Sequence, residues 1–274
     1  MNDFEKILKC DSKDIRDLLL SLEQSGIMKD ILPELLALKG IERRDGKGHK
    51  DNYLHTLQVV QQTYEVTDDI WLRLVSILHD IGKAPTKRFD KKLGWTFHNH
   101  EFVGSKMIKP IFKRLDLDMS KLKYVIKLVK AHGKVKELTG NDKDSDTMDN
   151  TTTKDFYVTD SAIRRFAKDM GDDVDDLILF CKCDLTTKYE IKKQRYVNDI
   201  NLLSERISEI KKADEKAKWR SPITGQMIMD EYGLGQCREV GVIKSKIETA
   251  IKNGDIKDDY DEAYAYMLTL KEVI

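Results

Sequence analysis

The 274-residue chain is poor in proline, with four, and in aromatic side chains, at 8%. Scarce proline leaves long stretches free to be helical, because proline lacks the backbone donor that a helix interior needs. Cysteine also numbers four (Cys10, Cys181, Cys183 and Cys237), and none forms a CxxC pair. That gives no disulfide framework for a chain of this size and suits a reducing compartment. No run approaches the roughly 18 apolar residues that a membrane span requires. Met1-Asn2-Asp3-Phe4-Glu5 has no cationic stretch leading into an apolar one, as a signal peptide would. The expectation is a cytoplasmic protein with no membrane contact. Net charge is absent as well, Lys plus Arg equalling Asp plus Glu at 48 each. This excludes a bulk electrostatic case for nucleic-acid or membrane binding and leaves only a local basic patch. Apolar residues at 40% and charged residues at 35% give a real core under a heavily solvated surface.

Leu, Ile, Lys and Glu are abundant, and apolar positions recur at helical spacing, so the expected fold is all-α. Ile15, Leu18, Leu19, Leu22, Ile31, Leu35, Leu36 and Leu38 mark short helices punctuated by Gly26 and Pro33. Gly46 and Gly48 mark a loop. Helices are predicted over 52–64, 70–81, 100–115, 120–132 and 174–188, then a long charged one over 190–216, and two short ones over 240–253 and 259–272. The segment 86–96 reads as a polar loop. Asp160 or Ser161 is expected to cap a helix that ends at Gly171. Residues 139–155 are almost wholly polar and read as a mobile loop. No strand pattern and no repeat at a fixed period stands out. The predicted organisation is N-terminal helices over 1–45 packing on a helical domain over 46–218, followed by a small helical module over 219–274, with the break at Trp219–Gly225.

All six histidines, His49, His55, His79, His98, His100 and His132, fall between residues 49 and 132. Each alone reads as an ordinary core or surface residue. The pair His79-Asp80 does not, because it closes the apolar stretch VSILHDIGK, where burial is expected. An ionised carboxylate there is costly unless a cation or hydrogen bonds compensate it. Imidazole nitrogen with carboxylate oxygen suits a divalent transition metal. Asp184 raises the same question on the stripe of Leu177, Ile178, Phe180, Cys181 and Leu185, where an acid among core residues needs a partner.

The ordered series His55, His79-Asp80, Asp184, each on its own helix, resembles the HD superfamily of metal-dependent phosphohydrolases. The most specific fragments are His55-Thr56-Leu57 and His79-Asp80-Ile81-Gly82-Lys83. His100 in NHEFVGSKM and His132 in KAHGK look like the two further histidines of members that hold two metals. A second resemblance covers close to the whole chain. Ile31-Leu32-Pro33-Glu34-Leu35, Gly48-His49, Ser161-Ala162-Ile163-Arg164-Arg165-Phe166, Pro222-Ile223-Thr224-Gly225 and Gly233-Leu234-Gly235 look like the non-polymerase portion of bacterial CCA-adding tRNA nucleotidyltransferases that carry an HD domain. That family's catalytic head has a Gly-Gly loop followed by a paired Asp-x-Asp on a strand. Gly235 and Gly241 come too late, and Asp142, Asp144 and Asp146 sit in the polar loop. The resemblance therefore does not extend to nucleotide addition by this chain alone.

The resemblance implies a first divalent ion (Mn, Co, Ni, Fe or Mg) on His55, His79, Asp80 and Asp184. A second ion would sit on His100 and His132 with Asp80 bridging. In the one-metal alternative, those two histidines contact phosphate. Asp80 and Lys83 are the candidate catalytic residues. Lys83 reads either as a phosphate contact one turn from His79 or as a cation favoured at a helix C-terminus. His49 and Lys188 are candidate substrate contacts, with an exposed loop histidine and a solvated helix face as the plain alternatives; His98 reads as a bystander. The lysine-rich stretches 188–195 and 211–220 read first as solvated faces and second as RNA contacts. Two functions follow. One is a metal-dependent phosphohydrolase of a nucleotide phosphomonoester or cyclic phosphodiester. The other is an RNA- or tRNA-binding body, or a partner of a separate nucleotidyltransferase. The oligomeric state stays open.

Overall fold

A computed structural model describes residues 3–11, 13–140 and 158–270. The loop predicted at 139–155 lies, from residue 141 on, outside the described residues. The fold is all-α. In chain order it comprises α1 (Asp3–Leu8), α2 (Ile15–Gln24), α3 (Met28–Ile31), α4 (Pro33–Leu36), β1 (Arg43–Arg44), β2 (Lys47–Gly48), α5 (Asn52–Val66), α6 (Ile70–Leu78) and α7 (Lys83–Thr86). There follow β3 (Arg88–Asp90), β4 (Gly94–Thr96), α8 (His100–Arg114), α9 (Leu122–Leu138), α10 (Asp160–Met170), α11 (Val174–Cys183) and α12 (Glu190–Lys218). The chain ends with α13 (Gly225–Tyr232), α14 (Arg238–Asn253) and α15 (Tyr260–Leu268). Packing separates two compact units, 1–210 and 211–274, so the division falls inside α12, whereas the sequence suggested a break just after it.

The first unit is built around α6. Asp69 caps it by accepting from the backbone N–H groups of Trp71 at 2.7 Å and Leu72 at 3.0 Å. Leu72, Leu74, Val75, Ile77 and Leu78 are all buried, the behaviour of a helix apolar all round. Arg73, on the same helix, is buried too. Its guanidinium donates to the carbonyls of Leu8, Cys10, Tyr64 and Thr67 and to Asp68, which ties the N-terminal segment to the central helix. α5 and α9 both pack against α6, α8 lies along α9, and α11 packs against α5 and α9.

Several local features differ from the sequence reading. α6 stops at Leu78, and residues 79–82 form a turn, so Pro85 stands inside the short α7. The polar segment 86–96 is a hairpin, with Arg88 paired to Thr96 and Asp90 to Gly94. Its turn is held by Asp90 Oδ1, which accepts from Lys92 N and Leu93 N at 2.7 and 2.8 Å, and by Gly94 at φ +84°. A second small hairpin pairs Arg43 with Gly48. The cap of α10 is Thr159, which accepts from Ala162 N. The second unit has its own core of Ile223, Ile228, Val240, Ile243, Ile247, Ala263 and Met267. There Thr224 caps α13, a helix that the sequence reading left unassigned.

Candidate metal centre

Five elements deliver the candidate ligands. His55 lies in the first turn of α5, behind the cap Asp51, whose carboxylate accepts from Leu54 N at 3.0 Å. His79 is the C-terminal cap residue of α6 and Asp80 follows in the turn; they are 0% and 1% exposed. His100 opens α8, His132 is buried within α9, and Asp184 is the C-terminal cap of α11 rather than a residue of its stripe. Gly82 makes the juxtaposition possible. A Cβ there would stand 2.0 Å from the carbonyl oxygen of His100 and 2.6 Å from the Gly104 nitrogen. Only glycine lets the turn carrying His79-Asp80 meet the start of α8 backbone to backbone.

The side chains form two adjoining groups that share Asp80. His55 Nε2 lies 3.1 Å from Asp184 Oδ1 and 3.5 Å from Asp80 Oδ2. His79 Nε2 is 3.3 Å from Asp80 Oδ2 and 3.5 Å from Asp184 Oδ1. The other carboxylate oxygen, Asp80 Oδ1, faces His100 Nε2 at 3.4 Å and His132 Nε2 at 3.8 Å, and those two nitrogens are 3.3 Å apart. His55, His79 and Asp80 can converge on one ion, and so can Asp80, His100 and His132. Donor atoms bound at about 2.1 Å to one cation sit about 3.0–3.4 Å from each other. Four of the observed separations, 3.1, 3.3, 3.4 and 3.3 Å, meet that demand, and the other three, at 3.5, 3.5 and 3.8 Å, exceed it by 0.1–0.4 Å.

Hydrogen bonding supplies a second test of fit. Among the described residues, His79 Nε2 and Asp184 Oδ1 are buried without a hydrogen-bond partner. They lie close enough to attract each other but are not aligned to bond. Buried polar atoms left in this condition cost about 1–3 kcal/mol each, and a divalent cation between them and their neighbours would satisfy both. The residues present therefore suit a metal of the imidazole–carboxylate class.

Charge state follows the same geometry. Burial would raise the Asp80 carboxyl, but the charges of His79 and Lys83 outweigh it and hold the group well below the usual carboxylate range. For Asp184, burial is likewise outweighed by His55 and the charge of His79, giving about 2. Burial and the charge of His79 push His132 down to about 4, which leaves its ring neutral at physiological pH, as a ligand must be. Lys83 Nζ donates to Asp80 Oδ2 at 2.6 Å, so this candidate stands at the edge of the group. Burial pushes the Cys181 thiol well up, and its Sγ donates to the His132 carbonyl, in keeping with a core role.

Two candidates stand apart. His49 sits against Trp95 and Phe97 beside the hairpins, its Nε2 accepting from Glu42 N and its Nδ1 close to the Lys50 carbonyl. Lys188 is exposed, with its ammonium over the ring of Tyr189. Conversely, Thr186 and Glu101 touch the group without having been singled out. Thr186 Oγ1 is 2.8 Å from His55 Nδ1, and Glu101 Oε2 is 3.3 Å from His100 Nδ1.

Residues 52–184 match the family model described as HD domain. That segment, just under half of the chain, is similar to HD domains. It begins at the first residue of α5 and ends at Asp184, so the matched segment contains every member of both groups. The chain is also similar to an A-adding tRNA nucleotidyltransferase of Deinococcus radiodurans, 35% identical over 117 residues. That match takes in 42% of this chain and 27% of the relative. A Multifunctional CCA protein of Legionella pneumophila is 26% identical over 122 residues, 44% of this chain and 29% of its own length. One from Neisseria meningitidis is 30% identical over 104 residues, 38% and 24% of the two chains. The chain thus spans under a third of the length of these relatives. No helix among the described residues is long and apolar enough to cross a membrane.

Proposed function

We propose that this chain is a metal-dependent phosphohydrolase acting on a nucleotide phosphomonoester or cyclic phosphodiester. His55, His79, Asp80 and Asp184 hold one divalent ion, and Asp80, His100 and His132 hold a second. The single observation that carries this reading is the pair of buried, unpartnered atoms His79 Nε2 and Asp184 Oδ1 facing the same space. A divalent ion held there supplies an activated water and neutralises charge on a phosphoryl group. The chain's own residues do the rest. Asp80 offers one oxygen to each group and so fixes their spacing. Lys83 places a cation at the rim, where an equatorial phosphoryl oxygen gains most from it. The buried setting of His79 and Asp80 limits water and strengthens each electrostatic contact.

The choice of nucleotides draws on the relatives, one of which is named an A-adding tRNA nucleotidyltransferase. The same observation favours a second reading, an RNA- or tRNA-binding body, or a partner to a separate nucleotidyltransferase. Turnover separates the two. Purified protein would be assayed with Mn, Co, Ni and Mg against 2′,3′-cyclic nucleotides, nucleoside monophosphates and simple phosphate esters. Metal-dependent release of phosphate or ring opening supports hydrolysis. Background rates over the whole panel, together with tight tRNA binding, would favour the binding body.

A further inference from the structure

Four histidines surround Asp80, and three of them are oriented alike. Nδ1 of His79 faces the Ser76 carbonyl at 2.8 Å, that of His100 the Phe97 carbonyl at 3.0 Å, and that of His132 the Val129 carbonyl at 2.7 Å. Each partner is the carbonyl three residues earlier. A carbonyl only accepts, so each Nδ1 carries a proton, and in the neutral ring that a bound ion would require each Nε2 presents its lone pair to the group.

His55 departs from this pattern. The equivalent carbonyl is that of Asn52, and it accepts from the Thr56 hydroxyl at 2.9 Å. Nδ1 of His55 instead meets Thr186 Oγ1 at 2.8 Å, across 131 residues of sequence. A hydroxyl either accepts or donates. With Nδ1 donating to Thr186, Nε2 has a free lone pair. With Thr186 donating to Nδ1, Nε2 carries the proton and points it toward Asp184 Oδ1, 3.1 Å away. Lys50 Nζ also donates to Thr186 Oγ1, at 3.2 Å, which leaves that oxygen one lone pair for the imidazole. Thr186 lies two residues beyond Asp184, so one short loop brings both the carboxylate and the tautomer partner to His55.

We infer that Thr186 is a positioning residue that makes His55 a metal ligand, by accepting the Nδ1 proton and so exposing the Nε2 lone pair. This rests on the metal reading above. His55 would then be the one ligand of the set whose tautomer a side chain sets, while backbone carbonyls set the other three.

The test uses the full chain and Zn²⁺ or Mn²⁺ alone. Affinity is measured by titration calorimetry with Mn²⁺ for wild type, Thr186→Val and Thr186→Ser. Valine keeps the shape and removes the acceptor, and should weaken binding about 10–100-fold, the usual cost of losing an outer partner of a ligand. Serine should restore it. A second measurement needs no variant: long-range ¹⁵N–¹H correlation on Zn²⁺-loaded wild type should show His55 protonated at Nδ1. Wild type that binds ions with His55 protonated at Nε2, or a folded Thr186→Val that binds as tightly as wild type, overturns the inference and leaves the metal reading intact. Wild type that binds no ion overturns both.

Discussion

Lys83 Nζ donates a 2.6 Å hydrogen bond to Asp80 Oδ2, the same oxygen that faces His55 and His79. A lysine so placed is a neighbour of the proposed ion site and not a member of it. Asp80 and Lys83 should therefore separate on mutation. Asp80→Ala should abolish metal binding and turnover together. Lys83→Ala should keep stoichiometric metal and lose about 10²–10³ in turnover, as when a single charge-stabilising donor is removed. Metal content and rate measured on the same preparations decide this. Activity that survives Asp80→Ala would place the reaction elsewhere.

Gly82 should tolerate no side chain. Its Cβ would strike backbone atoms of His100 and Gly104, which cannot rotate away. Gly82→Ala should cost at least about 1–3 kcal/mol of stability, the range for overpacking. It should also spread the 3.4 Å approach of His100 to Asp80. Thermal unfolding and metal titration check both effects. An unchanged melting temperature would mean that the close approach of α8 to this turn is wrong.

Nucleotide addition should be absent from this chain acting alone. Its sequence holds no Gly-Gly pair, and so no Gly-Gly motif followed by Asp-x-Asp. Incubation with labelled CTP or ATP and tRNA lacking its terminal nucleotides should give no incorporation. Labelled tRNA would overturn this expectation.

Much of the fold could be read from the sequence because its helices are amphipathic or wholly apolar, and both patterns persist over several turns. α5, α6, α8 and α9 were readable this way, as was the clustering of histidines with Asp80. The hairpins were not. Strands of two or three residues carry no period, and Asp90 and Gly94 announce a turn without saying what flanks it. α13 hid behind Pro222 and Gly225, which read as punctuation, although Thr224 between them is its cap. Asp184 was marked by its apolar neighbours, yet its place at the end of α11 depends on where the helix stops. Thr186 had no local mark at all. A lone threonine gains its meaning only from His55, which tertiary packing alone brings near.

The most direct measurement is the metal content of the purified, uncut chain after incubation with Mn, Co or Ni and removal of free ions. Wild type should retain at least one ion per chain, and His79→Ala and Asp80→Ala should retain none at the group containing His55 and Asp184. At a hundredfold excess over Kd, binding should also stabilise the fold by about 2.7 kcal/mol and so raise the melting temperature. Wild-type protein that holds no stoichiometric metal and shows no such shift would contradict the account. The unpartnered His79 Nε2 and Asp184 Oδ1 would then be a buried cost with no cation to offset it.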